Sequence, residues 1–222
     1  MNDYLKEFDE IICGDNVVKK FYTRFSDVNF KTWLGNFFPN ILKCEKQQQN
    51  NPWHKYNVLG HILHSVEQMN KLSKNLPCED RKMLSYVMLF HDIGKPDKHI
   101  TRIKEGKMID SFFDHNIRSA EIAKEYLPKF GFDKSQTAII EKLVFKHDIF
   151  MFIKPFKSNN PHWRVLDKSL IKEEIDDLNS VGDGKKLLKY LLLVGKADNL
   201  AQNETMTAQS LELLEDFSQL LD

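Results

Sequence analysis

The stretch Leu84-Ser85-Tyr86-Val87-Met88-Leu89-Phe90-His91-Asp92-Ile93-Gly94-Lys95-Pro96 is an apolar run that closes on a His-Asp pair and is halted by Gly and Pro. Leu84, Val87, Met88 and His91 recur at i, i+3, i+4 and i+7, so one stripe of a buried helix leads to the imidazole. Gly94 and Pro96 stop that helix. Successive helical residues stand roughly 100° apart, so His91 and Asp92 lean together toward a point beside the last turn. A carboxylate at the end of an apolar helix carries a large desolvation cost unless it is paired, and a divalent cation is a strong partner.

Working outward, more imidazoles and carboxylates sit on apolar helical patterns. Upstream, Trp53 to Glu67 reads as a helix with Val58, Ile62 and Val66 on one strip, and His54, His61 and His64 lie near one another on an adjoining face. Downstream, a helix is expected over Asp114 to Leu127, ended by Pro128. Another runs from about Ser135 through Ile140 and Val144 to His147-Asp148. A short acidic helix is expected over Ile171 to Asn179. The last strong pattern, Leu187 to Asn199, embeds Asp198 four and seven residues after Val194 and Leu191. Helix after helix with almost no alternating pattern predicts an all-α fold. Imidazoles and carboxylates delivered by several apolar helices, here His61, His91, Asp92, His115, His147 and Asp198, are what a buried His/Asp metal centre needs. Mixed nitrogen and oxygen donors suit one or two ions of Mn, Fe, Co, Ni or Zn, and suit Mg less.

Between these segments, Asp97 to Asp110 and Phe150 to Pro161 read as loops, and Gly182-Asp183-Gly184-Lys185 lacks the spacing of a phosphate-binding loop and reads as a turn. Gln47 to Pro52 is a polar stretch and marks the best candidate boundary, separating a helical N-terminal extension over residues 1–50 from a body over 51–222. The extension supplies aromatic residues such as Phe8, Phe21, Trp33 and Phe38 without recognisable chemistry. It is a candidate cover for the site or a dimer contact, and the sequence fixes no oligomeric state.

Composition bounds the partners. The 222 residues are 41% hydrophobic, enough for a proper core. Lys plus Arg equals Asp plus Glu at 32 each, so no global basic field points to duplex nucleic acid. Cys13, Cys44 and Cys78 are scattered and odd in number, which favours a reducing compartment over a thiolate zinc site. No membrane-spanning run and no signal-like start are read, so the expectation is a cytoplasmic protein with no membrane partner.

The residues quoted above, in their order, resemble the HD-domain metal-dependent phosphohydrolases. The likeness is closest to the HD domain attached to some bacterial CCA-adding tRNA nucleotidyltransferases. It is carried by His54-Lys55-Tyr56-Asn57-Val58-Leu59-Gly60-His61-Ile62-Leu63-His64, by Leu89 to Pro96, by the helix of His115 and Ser119 to Ala123, and by Ala197-Asp198-Asn199. It covers roughly Pro52 to Asn203. The first fifty residues lack the Gly-Ser and paired-Asp signature of a nucleotidyltransferase head, so the resemblance implies a stand-alone hydrolase and not CCA addition.

The resemblance selects His61, with His91, Asp92 and Asp198, as ligands of a first ion. It assigns His115 and His147 to a second, bridged by Asp92, and leaves His64 as a group that supports the ligands or meets the substrate, and His54 as structural. Lys95, beyond Asp92, is placed to meet a phosphate oxygen as a point charge. Asp92 and Lys95 are therefore the expected catalytic pair, and Lys95 and His64 the expected substrate contacts. Asp114 and Asp148 flank histidines and are candidates to orient imidazoles or to face solvent. The implied reaction is hydrolysis, by a metal-activated water, of a phosphoester in a small phosphorylated substrate. A nucleotide or an RNA end fits, as a 2′,3′-cyclic phosphodiester or a phosphomonoester. Alternatives are a dinucleoside-polyphosphate or nucleotide pyrophosphohydrolase, and a non-catalytic, metal-stabilised nucleotide- or RNA-binding module.

Overall fold

The computed structural model describes residues 3–156 and 162–221, so Asn159-Asn160-Pro161 of the expected loop lie outside the described residues. Eleven α-helices are found among the described residues. They are α1 (Asp3–Ile12), α2 (Val17–Phe25), α3 (Val28–Phe37), α4 (Asn40–Lys46), α5 (Val58–Leu72), α6 (Cys78–Phe90), α7 (His115–Tyr126), α8 (Lys134–Lys146), α9 (Lys168–Leu178), α10 (Gly184–Leu200) and α11 (Glu204–Leu221). The fold is all-α, as the periodicity predicts.

Side-chain oxygens set several starts. Asn57 accepts from the Gly60 amide at 2.7 Å to open α5. Asp133 and Gln136 form a reciprocal capping box on α8, and Asp183 accepts from the Lys186 amide to open α10. The expected start of α5 at Trp53 therefore moves to Val58. Residues 53–56 run through a turn and a bend instead, because the Asn57 cap fixes the first helical turn.

Helix α10 runs through the middle of the core. Leu188, Leu191, Val194 and Ala197 are fully buried, and the helix packs against α5, α6, α8, α9 and α11. Helices α1–α4 join the same hydrophobic cluster: Phe8 stacks on Phe130 at 5.6 Å, and Phe38 lies 5.2 Å from Phe90 and 5.0 Å from Tyr126. Asn70 ties α5 to the end of α1 by donating to the carbonyls of Ile12 and Gly14.

Two segments read as loops contain strands. β1 (Ile100–Lys104) and β2 (Lys107–Ser111) form an antiparallel hairpin turned by Glu105 and Gly106, both at positive φ. Alternation fails to mark it because β1 is exposed on both faces. The buried Asp110 carboxylate anchors the hairpin by accepting from the Asn50 amide, the Thr101 hydroxyl and His99 Nε2. β3 (Ile153–Lys154) and β4 (Arg164–Val165) form a minimal parallel pair. Helix α11 is a further element that the sequence reading passes over; it buries Thr207, Leu214, Phe217 and Leu221 along one side.

Candidate metal centre

Five segments converge on one buried point. His61 lies in the first turn of α5. His91 and Asp92 occupy the turn after α6, and His115 is the first residue of α7. His147 and Asp148 follow α8, and Asp198 sits in the last turns of α10. Gly94 lets the His91-Asp92 turn rest directly on α7: a Cβ there would lie 2.6 Å from the Ser119 amide nitrogen and 2.8 Å from the His115 carbonyl. The Gly94 amide instead donates to Ser119 Oγ at 2.9 Å.

Three imidazoles are held in the same way. His91 Nδ1 donates to the Met88 carbonyl at 2.6 Å, His115 Nδ1 to Phe112 at 2.7 Å, and His147 Nδ1 to Val144 at 2.7 Å. A carbonyl only accepts, so each Nδ1 carries a proton and each Nε2 is left to face the centre. There the nitrogens meet in pairs, His61 Nε2 to His91 Nε2 at 3.2 Å and His115 Nε2 to His147 Nε2 at 3.2 Å.

Asp92, 2% exposed, puts one oxygen on each pair. Its Oδ2 lies 3.2 Å from His61 and 3.4 Å from His91, while its Oδ1 lies 3.0 Å from His115 and 3.7 Å from His147. Asp198 Oδ1 closes the first group, 2.9 Å from His61 and 3.7 Å from His91. Gln202 Nε2 donates to the same oxygen at 3.1 Å.

This donor set fits divalent cations. His115 and His147 both spend their Nδ1 protons on backbone carbonyls, so as neutral rings they would oppose two lone pairs at 3.2 Å. Two nitrogens bonded at about 2.1 Å to one ion stand about 3.0 Å apart at octahedral and about 3.4 Å apart at tetrahedral angles, a range that brackets the observed spacing. The two groups of His61, His91 and Asp198, and of Asp92, His115 and His147, each keep their ligand atoms within 4.8 Å of one another.

The electrostatics agree. Burial alone would raise the Asp92 carboxyl, but the charges of Lys95 and His91 and the hydrogen bonds of His115 and His147 hold it well below the usual carboxylate range. Asp198, whose charge burial also disfavours, is held low by hydrogen bonds from His61 and His91. Both are therefore anionic and ready for a cation.

Lys95 is buried at the edge of the centre. Its Nζ lies 2.6 Å from Asp92 Oδ2, donates to Gln49 Oε1 at 2.9 Å and meets His54 Nε2 at 3.4 Å. Burial, then the Lys95 charge, pushes His54 down to about 2, so its ring is neutral and Nε2 is free to accept. His54 also packs edge-on against His61. His64 contributes no atom to either donor group and stacks on Tyr56 at 4.2 Å.

Asp114 precedes His115 in the left-handed region at φ 58°, a conformation Asp tolerates. Asp148 faces the second histidine pair directly, with Oδ2 3.3 Å from His115 Nε2 and Oδ1 3.3 Å from His147 Nε2. Gln49 and Gln202 escape the sequence reading, and His54, expected to be structural, meets Lys95. Gln49 hides in a polar run that looks like a linker, and Gln202 follows Asp198 by four residues, the one spacing that could have drawn attention to it.

An all-helical body that focuses His and Asp donors from several helices on one buried point belongs with the His/Asp metal centres of helical bundles. Residues 58–203 match the HD domain family, and the chain belongs to it, within the superfamily of metal-dependent phosphohydrolases. The chain is similar to a bifunctional uridylyltransferase/uridylyl-removing enzyme of Erythrobacter litoralis (strain HTCC2594), at 26% identity over 153 residues. That alignment takes in 63% of this chain and 15% of the relative. The relative is thus a nucleotidyl-transferring protein other than a CCA-adding enzyme. Among the described residues no helix is long and apolar enough to cross a membrane.

Proposed function

We propose that this chain hydrolyses a phosphoester of a nucleotide or of a nucleic-acid end. The observation that carries the reading is the Asp92 carboxylate, one oxygen on each of two histidine pairs. His61, His91 and Asp198 would hold one divalent ion and His115 and His147 the other, with Asp92 shared. When bound, such ions grip phosphoryl oxygens, lower the pKa of a water and offset charge on the leaving oxygen.

The rest is the work of the chain. The backbone carbonyls of Met88, Phe112 and Val144 hold the imidazoles in one tautomer and one orientation, so the donors need no rearrangement. Gln49 and neutral His54 aim the Lys95 ammonium into the centre, where it can meet a phosphate oxygen once the charge of Asp92 is shared. His64, about one helical turn beyond His61, is assigned the outer part of the substrate, with the half-exposed Tyr56 ring beside it.

The relative's uridylyl-removing activity supports a nucleotidyl ester as the substrate class, and the resemblance to the HD domains of CCA-adding enzymes supports an RNA end within it. The test is to strip the protein of metal, restore Mn, Fe, Co, Ni or Zn singly, and assay 2′,3′-cyclic nucleotides, nucleoside monophosphates and dinucleoside polyphosphates. Metal-dependent release of a free hydroxyl from an ester is the expected result. Two phosphorylated products would assign a pyrophosphohydrolase instead, and tight nucleotide binding without turnover under every ion would assign a binding module.

A further inference from the structure

His147-Asp148 repeats His91-Asp92 in three dimensions. Each histidine caps the C-terminal end of its helix in right-handed helical geometry, φ −53° and ψ −39° at His91 and φ −57° and ψ −30° at His147. Each gives its Nδ1 proton to the carbonyl three residues earlier, and the two rings meet edge to face with centroids 5.3 Å apart. Asp92 uses this placement to reach both histidine pairs. Asp148 uses it to reach one, with its two oxygens divided between His115 and His147 at 3.3 Å each.

The two donor groups are then alike. One has two Nε2 atoms 3.2 Å apart, the Asp198 carboxylate and Oδ2 of Asp92; the other has two Nε2 atoms 3.2 Å apart, the Asp148 carboxylate and Oδ1 of Asp92. Without Asp148 the second group would have only a share of one negative charge for a divalent ion. A second carboxylate at the same place supplies the charge and the oxygen donor that such an ion takes alongside imidazole.

We infer that Asp148 is a direct ligand of a second ion, the counterpart of Asp198 in the first group, and that the centre therefore holds two ions of similar charge environment. The inference rests on the metal-dependent reading above. Its test counts ions in the full chain: metal-free protein is equilibrated with Mn²⁺ alone and bound metal is measured by elemental analysis, with electron paramagnetic resonance of the same samples. Wild type is expected to bind two ions with a spin-coupled signal. Asp148→Asn and Asp198→Asn are each expected to bind one ion with an isolated-ion signal. Two ions in Asp148→Asn at an affinity within about threefold of wild type would overturn the inference, as would a single ion in wild type, which leaves the hydrolase reading standing. No ion in wild type would overturn that reading itself. Should Asp148→Asn fail to fold by circular dichroism, Asp148→Glu takes its place, with a loss of tenfold or more expected at one site only and an unchanged second site as the contrary result.

Discussion

His61, His91 and Asp198 have side chains 1%, 0% and 16% exposed, whereas His115, His147 and Asp148 are at 12%, 1% and 20%. The inner group hangs from α5, α6 and α10, the helices that make the middle of the core. The outer group hangs from the first residue of α7 and the end of α8, next to exposed Phe113, Phe145 and Met151. Equal donor chemistry in unequal surroundings gives the two halves different tasks. The inner half has both histidines buried in packed helices and only the Asp198 carboxylate reaching toward solvent. The outer half is the more open to solvent at His115 and Asp148. Asp92, common to both, ties the buried half to the accessible one.

The largest effect is expected at that shared residue. Asp92→Ala should abolish tight binding of both ions and with it activity, measured by metal content and turnover of a folded variant. Full turnover would refute the assignment of the centre. Because Lys95, 5% exposed, lies 2.6 Å from Asp92, the alanine also strands a buried ammonium. Breaking such a pair costs about 3–5 kcal/mol, so Asp92→Asn should be measured beside it.

A change at Gly94 separates the halves. Gly94→Ala drives a methyl group into backbone atoms of Ser119 and His115, which have no flexible end to swing away. The turn and α7 must part, at a cost of about 1–3 kcal/mol. The outer ion should be weakened, because His115 starts α7. The inner ion shares that turn only through His91 at the end of α6 and takes His61 and Asp198 from α5 and α10, so it should be weakened less. Denaturant titration and metal analysis of one preparation check both statements, and equal loss of the two ions would break the distinction.

Exposure also orders the rates of metal removal. Chelation of the loaded protein should proceed in two phases, with the outer ion leaving first and the inner one requiring opening of the core. Elemental analysis during dialysis against a chelator reads this directly. A single phase would show that Asp92 couples the sites so tightly that solvent access decides nothing.

These contrasts explain what the sequence could and could not disclose. The periodicity of Leu84 to His91 and of Leu187 to Asp198 is strong because those helices are buried on a continuous stripe, so the all-α fold and the candidates His91, Asp92 and Asp198 are legible from pattern, whereas His61 is picked out from His54 and His64 only by the resemblance. The hairpin at Ile100–Ser111 is not, because β1 is solvated on both faces and no alternation is required of it. Asp148 is ambiguous for a related reason: an aspartate after a helix is ordinarily solvated, and only the three-dimensional repeat of the His-Asp turn shows what it faces. Gln49 lies in Gln47-Gln48-Gln49, where composition suggests a linker, yet it is buried, accepts from Lys95 and donates to the Tyr56 carbonyl. Polar residues that act by holding another polar residue leave no periodic trace.

The smallest effect tests that last point within the inner half. Gln202 donates to Asp198 Oδ1 at 3.1 Å, from four residues further along the chain. Loss of such an outer partner lowers metal affinity by about 10–100-fold without removing a ligand, and burial of the inner group favours the lower end, since His61 and the core still restrict the carboxylate. Gln202→Ala should therefore retain both ions at saturation and bind the inner one about tenfold more weakly, with the outer ion untouched. Competition with a chelator of known affinity resolves a shift of this size. A loss falling on the outer ion would mean that the two halves exchange strain through Asp92, and the division by exposure would have to give way to one cooperative unit.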